Sequence, residues 1–554
     1  MGRVWGMDAV GKNASTSIYG NIVTVTESPV QEDLIYVGTD DGLIQRTDDA
    51  GGEWIRYGEF PGVPERTYVN MVLASTHQAN TVYAAFNNHK NGDFAPYLLK
   101  STDRGASWTS ITGDLPDRGS VYAIAEDPVD PDLLFAGTEF GAFFSLNGGE
   151  RWIEIGGLPT IAVRDLAIQE RENDLVLATF GRGFWVLDDY TPLRHTDSEV
   201  LAKDAHIFPI RDALIYIEMD RARGEQGANY FYADNPPFGA VFTFYVKEDV
   251  ETLREARRAA EREAWEAGEP IEYPSFEEMR AEDREQVPYL LFTITNEEGE
   301  VVRRLPARDG TGIRRITWDL RYASVSPVPD AADFDPFDEG PDGPLVAPGT
   351  YQVALSRVVD GVPGDLVAEP VPFQVVSLNN ATLATQDRDA LLAFQKEADA
   401  LMARVRTASE QMEAIGQRLA VVKTAVKRSS TLPLEALREA RELEERAADL
   451  RIDLVGDPSV AGRQFETPPS ISDRVGGVLY SSFNATSAPT GQQREQLGIA
   501  EEDFAELRPL SDELLEEVAA LENRLRGLGG LLMPQGGGGF KVPQSGNTMG
   551  FERR

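Results

Sequence analysis

The chain has 554 residues, 42% of them hydrophobic, and a formal charge of −38 at pH 7. That length holds about three domains with real cores, and the acidity argues against nucleic acid or an anionic membrane surface as a partner, since either demands a basic patch. Cysteine is absent, which excludes disulfides, thiolate metal sites and cysteine nucleophiles, and no apolar run approaches the ~20 residues that a helix needs to span a bilayer.

From residue 20 the chain repeats one pattern: an apolar strand A, a turn rich in Pro and Asp, strand B, a Gly turn, strand C, a hairpin and strand D. Each such unit reads as one four-stranded blade of a β-propeller. Four are read, near 20–58, 67–111, 119–156 and 161–190. In the first three the hairpin matches Ser/Thr-x-Asp/Asn-x-Gly-x-x-Trp without a gap, at Thr47–Trp54, Ser101–Trp108 and Ser145–Trp152. The expected roles are structural. Asp49, Asp103 and Asn147 bond the backbone of a tight turn, Gly51, Gly105 and Gly149 take the left-handed conformation, and Trp54, Trp108 and Trp152 pack back on the blade. Residues 1–19 enter in mid-pattern with no secretory leader. The expectation is therefore an open arc of about four blades (1–190), belonging to a longer protein whose N-terminal blades are a partner of this chain. An open arc leaves its edge strands bare.

Residues 191–234 read as a connector. From Val241, alternating strands (VFTFYV, YLLFTIT, VVRRL, RRITWDL, YQVALSR, VPFQVV) predict an immunoglobulin-like β-sandwich over 235–378. A charged insertion at 248–286, rich in Glu, Arg and Ala, favours a solvated helix with i,i+4 ion pairs. The acidic loop 330–342, with Asp333, Asp335, Asp338 and Glu339, does not match the calcium-hand spacing and reads as solvated, Ca²⁺ being the alternative. From Leu391 apolar residues fall alternately three and four apart through Phe394, Ala398, Leu401, Val405, Ala408, Met412, Ile415, Leu419 and Val422, a heptad seam on a long helix. A second helix follows Pro433, through Leu434, Leu437, Ala440, Ala447, Leu450 and Leu454, and a third runs from about Ser511 to Arg526. The three predict an antiparallel bundle over 379–526, with pairing between chains through the seam as the alternative. The tail, 527–554, has no period and is expected to be disordered.

The three signatures, the GTDDG and GTEFG turns, LATFGRGFWVLDD, ITWDLRY followed by APGTY, and the helical C-terminus together resemble a group of large bacterial proteins with Asp-box (BNR) repeats and a sortilin-type propeller. These are often labelled glycosyl hydrolases because xyloglucanases and sialidases share the blade. The resemblance covers roughly 1–450 and implies a secreted, periplasmic or envelope location. Neither the arginine triad and tyrosine of sialidases nor the paired aspartates of xyloglucanases can be placed on this sequence.

Strands of a blade alternate in direction, so A-to-B turns and signature hairpins share one face, and B-to-C turns and D-to-A links share the other. Loops at the end of a propeller are its usual binding surface. On the second face fall Asp40, Asp41, Asn87, His89, Asp93, Glu139 and Arg182, the candidate ligand-binding residues. Asp40 with Glu139 could supply the two carboxylates of a glycosidase; tight-turn chemistry is the competing account of both. His77, His195 and His206 have no ligand spacing, and neither a dinucleotide fingerprint nor a phosphate loop is present, so no cofactor or metal is expected. The functional expectation is an extracytoplasmic scaffold binding a protein or glycan on this loop face. The alternatives are a glycoside hydrolase completed by N-terminal blades, and a structural module assembling through its helices.

Overall fold

A computed structural model describes residues 20–218, 233–328, 334–378 and 387–529. It divides into two compact units, one ending at Lys203 and the other beginning at Asp204.

The first unit is a run of antiparallel sheets, each strand pairing with the next in sequence. Sheet 1 comprises β1 (Ile22–Glu27), β2 (Ile35–Thr39), β3 (Ile44–Thr47) and β4 (Ile55–Tyr57). Sheet 2 comprises β5 (Tyr68–Ala74), β6 (Val82–Asn87), β7 (Tyr97–Ser101) and β8 (Thr109–Ser110). Sheet 3 comprises β9 (Val121–Glu126), β10 (Leu134–Thr138), β11 (Gly141–Ser145) and β12 (Ile153–Glu154). Sheet 4 has three strands, β13 (Val163–Gln169), β14 (Asp174–Thr179) and β15 (Phe184–Leu187). The first strands pack side by side in order, β1 on β5, β5 on β9 and β9 on β13. Between successive sheets lie three separate apolar cores, because period-two alternation gives every strand one face toward each neighbour. Tyr36, Val72 and Trp108 share the first, Tyr83, Ile124 and Trp152 the second, and Phe135, Leu166 and Tyr190 the third.

The signature hairpins repeat one hydrogen-bond set. The Thr47, Ser101 and Ser145 hydroxyls accept from the N–H of Gly51, Gly105 and Gly149 at 2.8–2.9 Å. Asp49, Asp103 and Asn147 accept through Oδ1 from the N–H of Glu53, Ser107 and Arg151 at 2.8–3.0 Å. Gly105 has φ +86°, and a methyl group there would lie 3.1 Å from a ring carbon of Tyr57, the last residue of sheet 1. Trp108 and Trp152 are buried, whereas Trp54 is 44% exposed and does not pack as expected.

Two buried carboxylates lock the A-to-B turns. Glu126 accepts from Ser75, Thr76 and Tyr83. Asp127 accepts from the N–H groups of Val129 and Asp130, the Tyr190 hydroxyl and the Arg194 guanidinium. His77 Nε2 lies 2.7 Å from the Asp127 carbonyl oxygen, which accounts for it structurally.

The stretch read as a connector is built into secondary structure. Thr191–His195 forms a 3-10 turn that carries Arg194, followed by α1 (Ser198–Ala202). In the second unit β16 (Ala205–Ile207) and β17 (Ala213–Ile215) each join a sheet, though three residues are too few to show a period. Next come β18 (Ala240–Val246), α2 (Leu253–Ala267), α3 (Phe276–Arg284), β19 (Tyr289–Asn296), β20 (Val301–Arg308), β21 (Gly312–Trp318), β22 (Arg321–Ala323), β23 (Asp342–Leu345), β24 (Gly349–Val359) and β25 (Val362–Ser377). One sheet has the order β16-β18-β21 and another β17-β25-β24-β19-β20; residues from both, including Phe242, Phe292, Trp318 and Phe373, share one core. The insertion forms two helices, not one. Capping boxes at Thr252 and Ser275 start them, and Arg257 bonds both Glu261, four residues on, and Glu282 across the pair. In the acidic loop, Glu339 with Asp342 pairs the buried Arg303; Asp333 lies outside the described residues.

The C-terminal region holds α4 (Arg388–Arg428), α5 (Glu435–Val455), α6 (Pro458–Ala461), α7 (Ile471–Phe483) and α8 (Gly491–Gly527). Every heptad residue from Leu391 to Val422 is buried, and those from Phe394 on share a core with α5, α7 and α8 of the same chain. Leu434, expected in the second helix, is exposed and precedes α5. The third helix begins twenty residues earlier than expected (511 minus 491), since α8 runs through Pro509. The tail from residue 530 lies outside the described residues.

Candidate functional site

The two faces of the first unit are fixed by repeated backbone bonds. The hairpins are tied to the A-to-B turns, Ala50 N–H donating to Asp33, Arg104 to Asn80 and Gly148 to Asp132. On the other side the B-to-C turns are tied to the residue entering strand A, Asp40 N–H donating to Asn21, Glu139 to Ser120 and Phe180 to Ala162. Thr39, Thr138 and Thr179 close these turns by bonding Leu43, Gly141 and Gly183.

At this second face the inner strand of every sheet carries an irregularity at the same position. Register shifts fall between Ile22 and Thr24, between Val69 and Met71, beside Tyr122, and between Val163 and Asp165. One residue per sheet is thus left out of the ladder: Val23, Asn70, Tyr122 and Arg164. A β-bulge re-aims the side chain of its extra residue, and bulges are over-represented beside binding sites.

Three of these residues meet the loop residues. Asn70 donates through Nδ2 to the Tyr122 carbonyl oxygen at 2.5 Å, joining sheets 2 and 3. Asn87 Nδ2 donates to Asn70 Oδ1 at 2.8 Å, and His89 Nδ1 is bonded to Asn87 Oδ1. The Tyr122 hydroxyl donates to Glu139. The Arg164 guanidinium stands 3.8 Å from the centre of the Tyr122 ring and 5.3 Å from that of Phe180. At the sheet 1 side, Lys90 lies 5.7 Å above the Tyr68 ring. Burial, then Arg164 and Lys90, hold His89 below the usual histidine range, with Glu139 opposing them. Burial and the Glu139 bond push the Tyr122 phenol up to about 12.

The expected residues therefore separate. Asn87, His89 and Glu139 converge with Asn70, Tyr122 and Arg164, none of which was expected. Asp40 accepts from Asn21 at 2.8 and 3.1 Å, and Asp41 accepts from Thr39 at 2.5 Å; both sit in the sheet 1 turn. Asp40 and Glu139 belong to sheets 1 and 3, with sheet 2 between them. Burial acts to raise the Asp93 carboxyl, but bonds from Asn88 in the same loop and from Tyr97, the first residue of β7, hold it low. Arg182 is exposed in the Phe180–Gly183 turn. The cluster offers amide, imidazole, carboxylate and guanidinium groups beside aromatic rings, which suits a ligand rich in hydroxyls or amides. Among the described residues no group of three or more His, Asp or Glu is placed to hold a metal, and no helix is long and apolar enough to cross a membrane.

No protein-family model matches the chain. Its sequence is similar to xyloglucanases. Over 142 residues it is 30% identical to xyloglucanase Xgh74A of Acetivibrio thermocellus, covering 23% of this chain and 17% of that protein. Over 161 residues it is 27% identical to a xyloglucanase of a Paenibacillus species, covering 27% and 16%. The chain thus matches about a sixth of the length of these curated relatives. Among solved structures, the GH74 xyloglucanase from Xanthomonas campestris aligns at 14% identity over 63% of this chain and 45% of that one, with a TM-score of 0.28. The GH74 enzyme of Niastella koreensis aligns at 20% identity over 31% and 29%, with a TM-score of 0.27.

Proposed function

We propose that this chain is an extracytoplasmic scaffold of the Asp-box, sortilin-like kind, which binds a glycan or protein ligand on the B-to-C face of its blades. In this reading the arc extends over 1–190 and is completed by further blades. An immunoglobulin-like sandwich (235–378) and a helical bundle (379–526) serve as accessory or docking domains. The observation that carries it is the meeting of bulged residues Asn70, Tyr122 and Arg164 with Asn87, His89 and Glu139 from the adjoining turns. Bonded to one another, these groups are held in fixed positions, so a ligand meets preorganised partners and loses less entropy on their account. The test is calorimetric titration with xyloglucan oligosaccharides and, in parallel, a peptide library. Binding that His89→Ala and Arg164→Ala each weaken about tenfold or more, a loss of about 1.4 kcal/mol, without moving the melting transition, supports the reading. Binding indifferent to both overturns it.

A glycoside hydrolase is the second reading, favoured by the sequence similarity to xyloglucanases. It needs an acid and a second carboxylate roughly 5 to 10 Å apart across one bond, and Asp40 and Glu139 are its candidates although they stand on non-adjacent sheets. New reducing ends from xyloglucan, abolished by Asp40→Asn or Glu139→Gln in folded protein, would replace the scaffold reading with this one.

A further inference from the structure

Where α5 stops, the helical bundle opens. Gly456 ends the helix at φ +88°, Asp457 and Pro458 start α6, and the chain returns through Thr467, Pro468 and Pro469 to Ser470, which caps α7. Between this detour and the middle of α8 lies a groove of about 560 Å³, within the roughly 300–1,000 Å³ typical of ligand sites. Its walls come from residues 452–471 and 503–510, all of them described. Leu507 and Ile471 are buried at its floor, whereas Leu510 and Ile452, 50% and 38% exposed, stand at its mouth.

The polar part of the lining has one sign. Asp503, Glu506 and Leu510 fall at i, i+3 and i+7 of α8 and so share a face, and Asp453 joins them from the end of α5. Elsewhere in the bundle, carboxylates between helices are paired, Glu413 with Arg451, Glu522 with Arg418, Glu444 with Lys423 and Glu517 with Arg446. Asp453, Asp503 and Glu506 have no cationic partner among the described residues, and none of the residues lining the groove is a Lys or Arg. Like charges three apart on a helix repel, and a cation brought to this face relieves that repulsion.

We propose that this groove is a docking site for a cationic, apolar segment of a partner protein, whose apolar side chains cover Leu510 and Ile452 while its Lys or Arg side chains meet Asp453, Asp503 and Glu506. Charge complementarity names the occupant. A neutral segment would desolvate three carboxylates without pairing them, and an acidic one would add repulsion. A second copy of the chain, at a formal charge of −38, is disfavoured on the same ground. Beyond Leu510, α8 carries the chain a further 17 residues (527 minus 510), about 26 Å, so its C-terminal end lies away from the groove. The inference goes beyond the loop-face reading and does not depend on it.

The test is fluorescence anisotropy of the full chain with a labelled synthetic peptide that sets leucines along one helical face between lysines. It should bind, and two relatives of it, one with glutamates for the lysines and one with serines for the leucines, should bind at least about fivefold more weakly. Asp503→Asn with Glu506→Gln, and separately Leu510→Ser, should each cost about fivefold or more in affinity with the melting transition in place, since all three side chains are exposed. Glu410→Gln with Glu516→Gln removes the same charge from exposed positions outside the groove and should leave binding unchanged. Raising the ionic strength from about 0.1 to about 1 M cuts the screening length from about 10 to about 3 Å and should release the peptide. A chain of this charge draws any cationic peptide, so equal losses from the two carboxylate pairs, or binding indifferent to Leu510→Ser, overturn the proposal. Asp503→Lys with Glu506→Lys should turn the preference toward the glutamate peptide, and an unchanged preference overturns it as well. So does a chain truncated after Gly529 that binds the lysine peptide far more tightly, since the tail with Lys541, Arg553 and Arg554 would then be the occupant.

Discussion

Asp127→Asn is expected to be among the most damaging conservative changes in the first unit. The carboxylate is fully buried and the Arg194 guanidinium beside it is 10% exposed. Nε and Nη2 of Arg194 reach the two carboxylate oxygens at 2.7–3.0 Å. Asparagine can still accept from Val129 and Asp130, but its amide turns a donor toward a guanidinium that also donates. Removing one partner of a buried pair leaves the other charge uncompensated, at a cost of about 3–5 kcal/mol. For a unit of this size each kcal/mol moves the midpoint by about 2–4 °C, which makes the expected drop roughly 6–20 °C. Burial acts to raise the Asp127 carboxyl, but the bonds from Arg194, Asp130, Tyr190 and Val129 hold it below the usual carboxylate range. A group depressed in this way contributes stability above its unfolded pKa of about 3.9 and loses it as pH falls through the lower folded value. The substitution should therefore flatten the acid limb below about pH 4. Scanning calorimetry across that range, with Arg194→Met to complete a double-mutant cycle, measures both effects. If Asp127→Asn moves the first-unit transition by only about 1 °C, or the cycle shows no coupling, the buried pair does not lock the sheets as argued.

Trp108→Ala removes a ring shared by the core of sheets 1 and 2 and should cost about 3–5 kcal/mol in calorimetry without selectively changing ligand binding. Leu401→Asp places an unpaired charge at a fully buried seam position; far-UV circular dichroism should show the helical region unfolded, and a folded dimer dissociating to folded monomers would contradict the packing within one chain. His89 should titrate below the ordinary histidine range by NMR. Arg164→Ala should raise its midpoint and Glu139→Gln lower it further, since the first now opposes the imidazolium and the second favours it.

Much of this fold was legible because its signals are local. The Thr/Ser, Asp/Asn and Gly of each hairpin bond within eight residues, so the turn is written in one short stretch of sequence. The heptad of α4 was legible for the related reason that ten apolar residues keep one period along a single helix. Where a local signal misleads, packing decides. Pro509 cannot donate to the helical ladder and normally breaks it, yet α8 passes through it because Leu497, Ala500, Phe504 and Leu507 on one side and Leu514, Val518 and Leu521 on the other bury a continuous stripe. Trp54 misled in the opposite way. Its eight residues are as well formed as those of Trp108, but burial depends on the neighbouring sheet, which the motif does not encode.

The site was half legible for the same physical reason. Asn87, His89 and Glu139 lie in turns after strand B, and turns at one end of a propeller are where ligand groups are sought. Asn70, Tyr122 and Arg164 lie within β-strands, where a polar side chain reads as one facing solvent and a tyrosine as core. What sets them apart is the bulge, and a bulge formed without glycine is not visible in the sequence of any one strand taken alone. The aligned repeat does contain a trace: each follows a valine paired with the neighbouring strand, Val69, Val121 and Val163, and the residue after it varies as asparagine, tyrosine and arginine. What the fold repeats there is the backbone bulge, while the side chain it carries changes from one repeat to the next. In the proposed scaffold reading, that variation makes the inner-strand bulge the position at which ligand contacts would differ from one blade to the next.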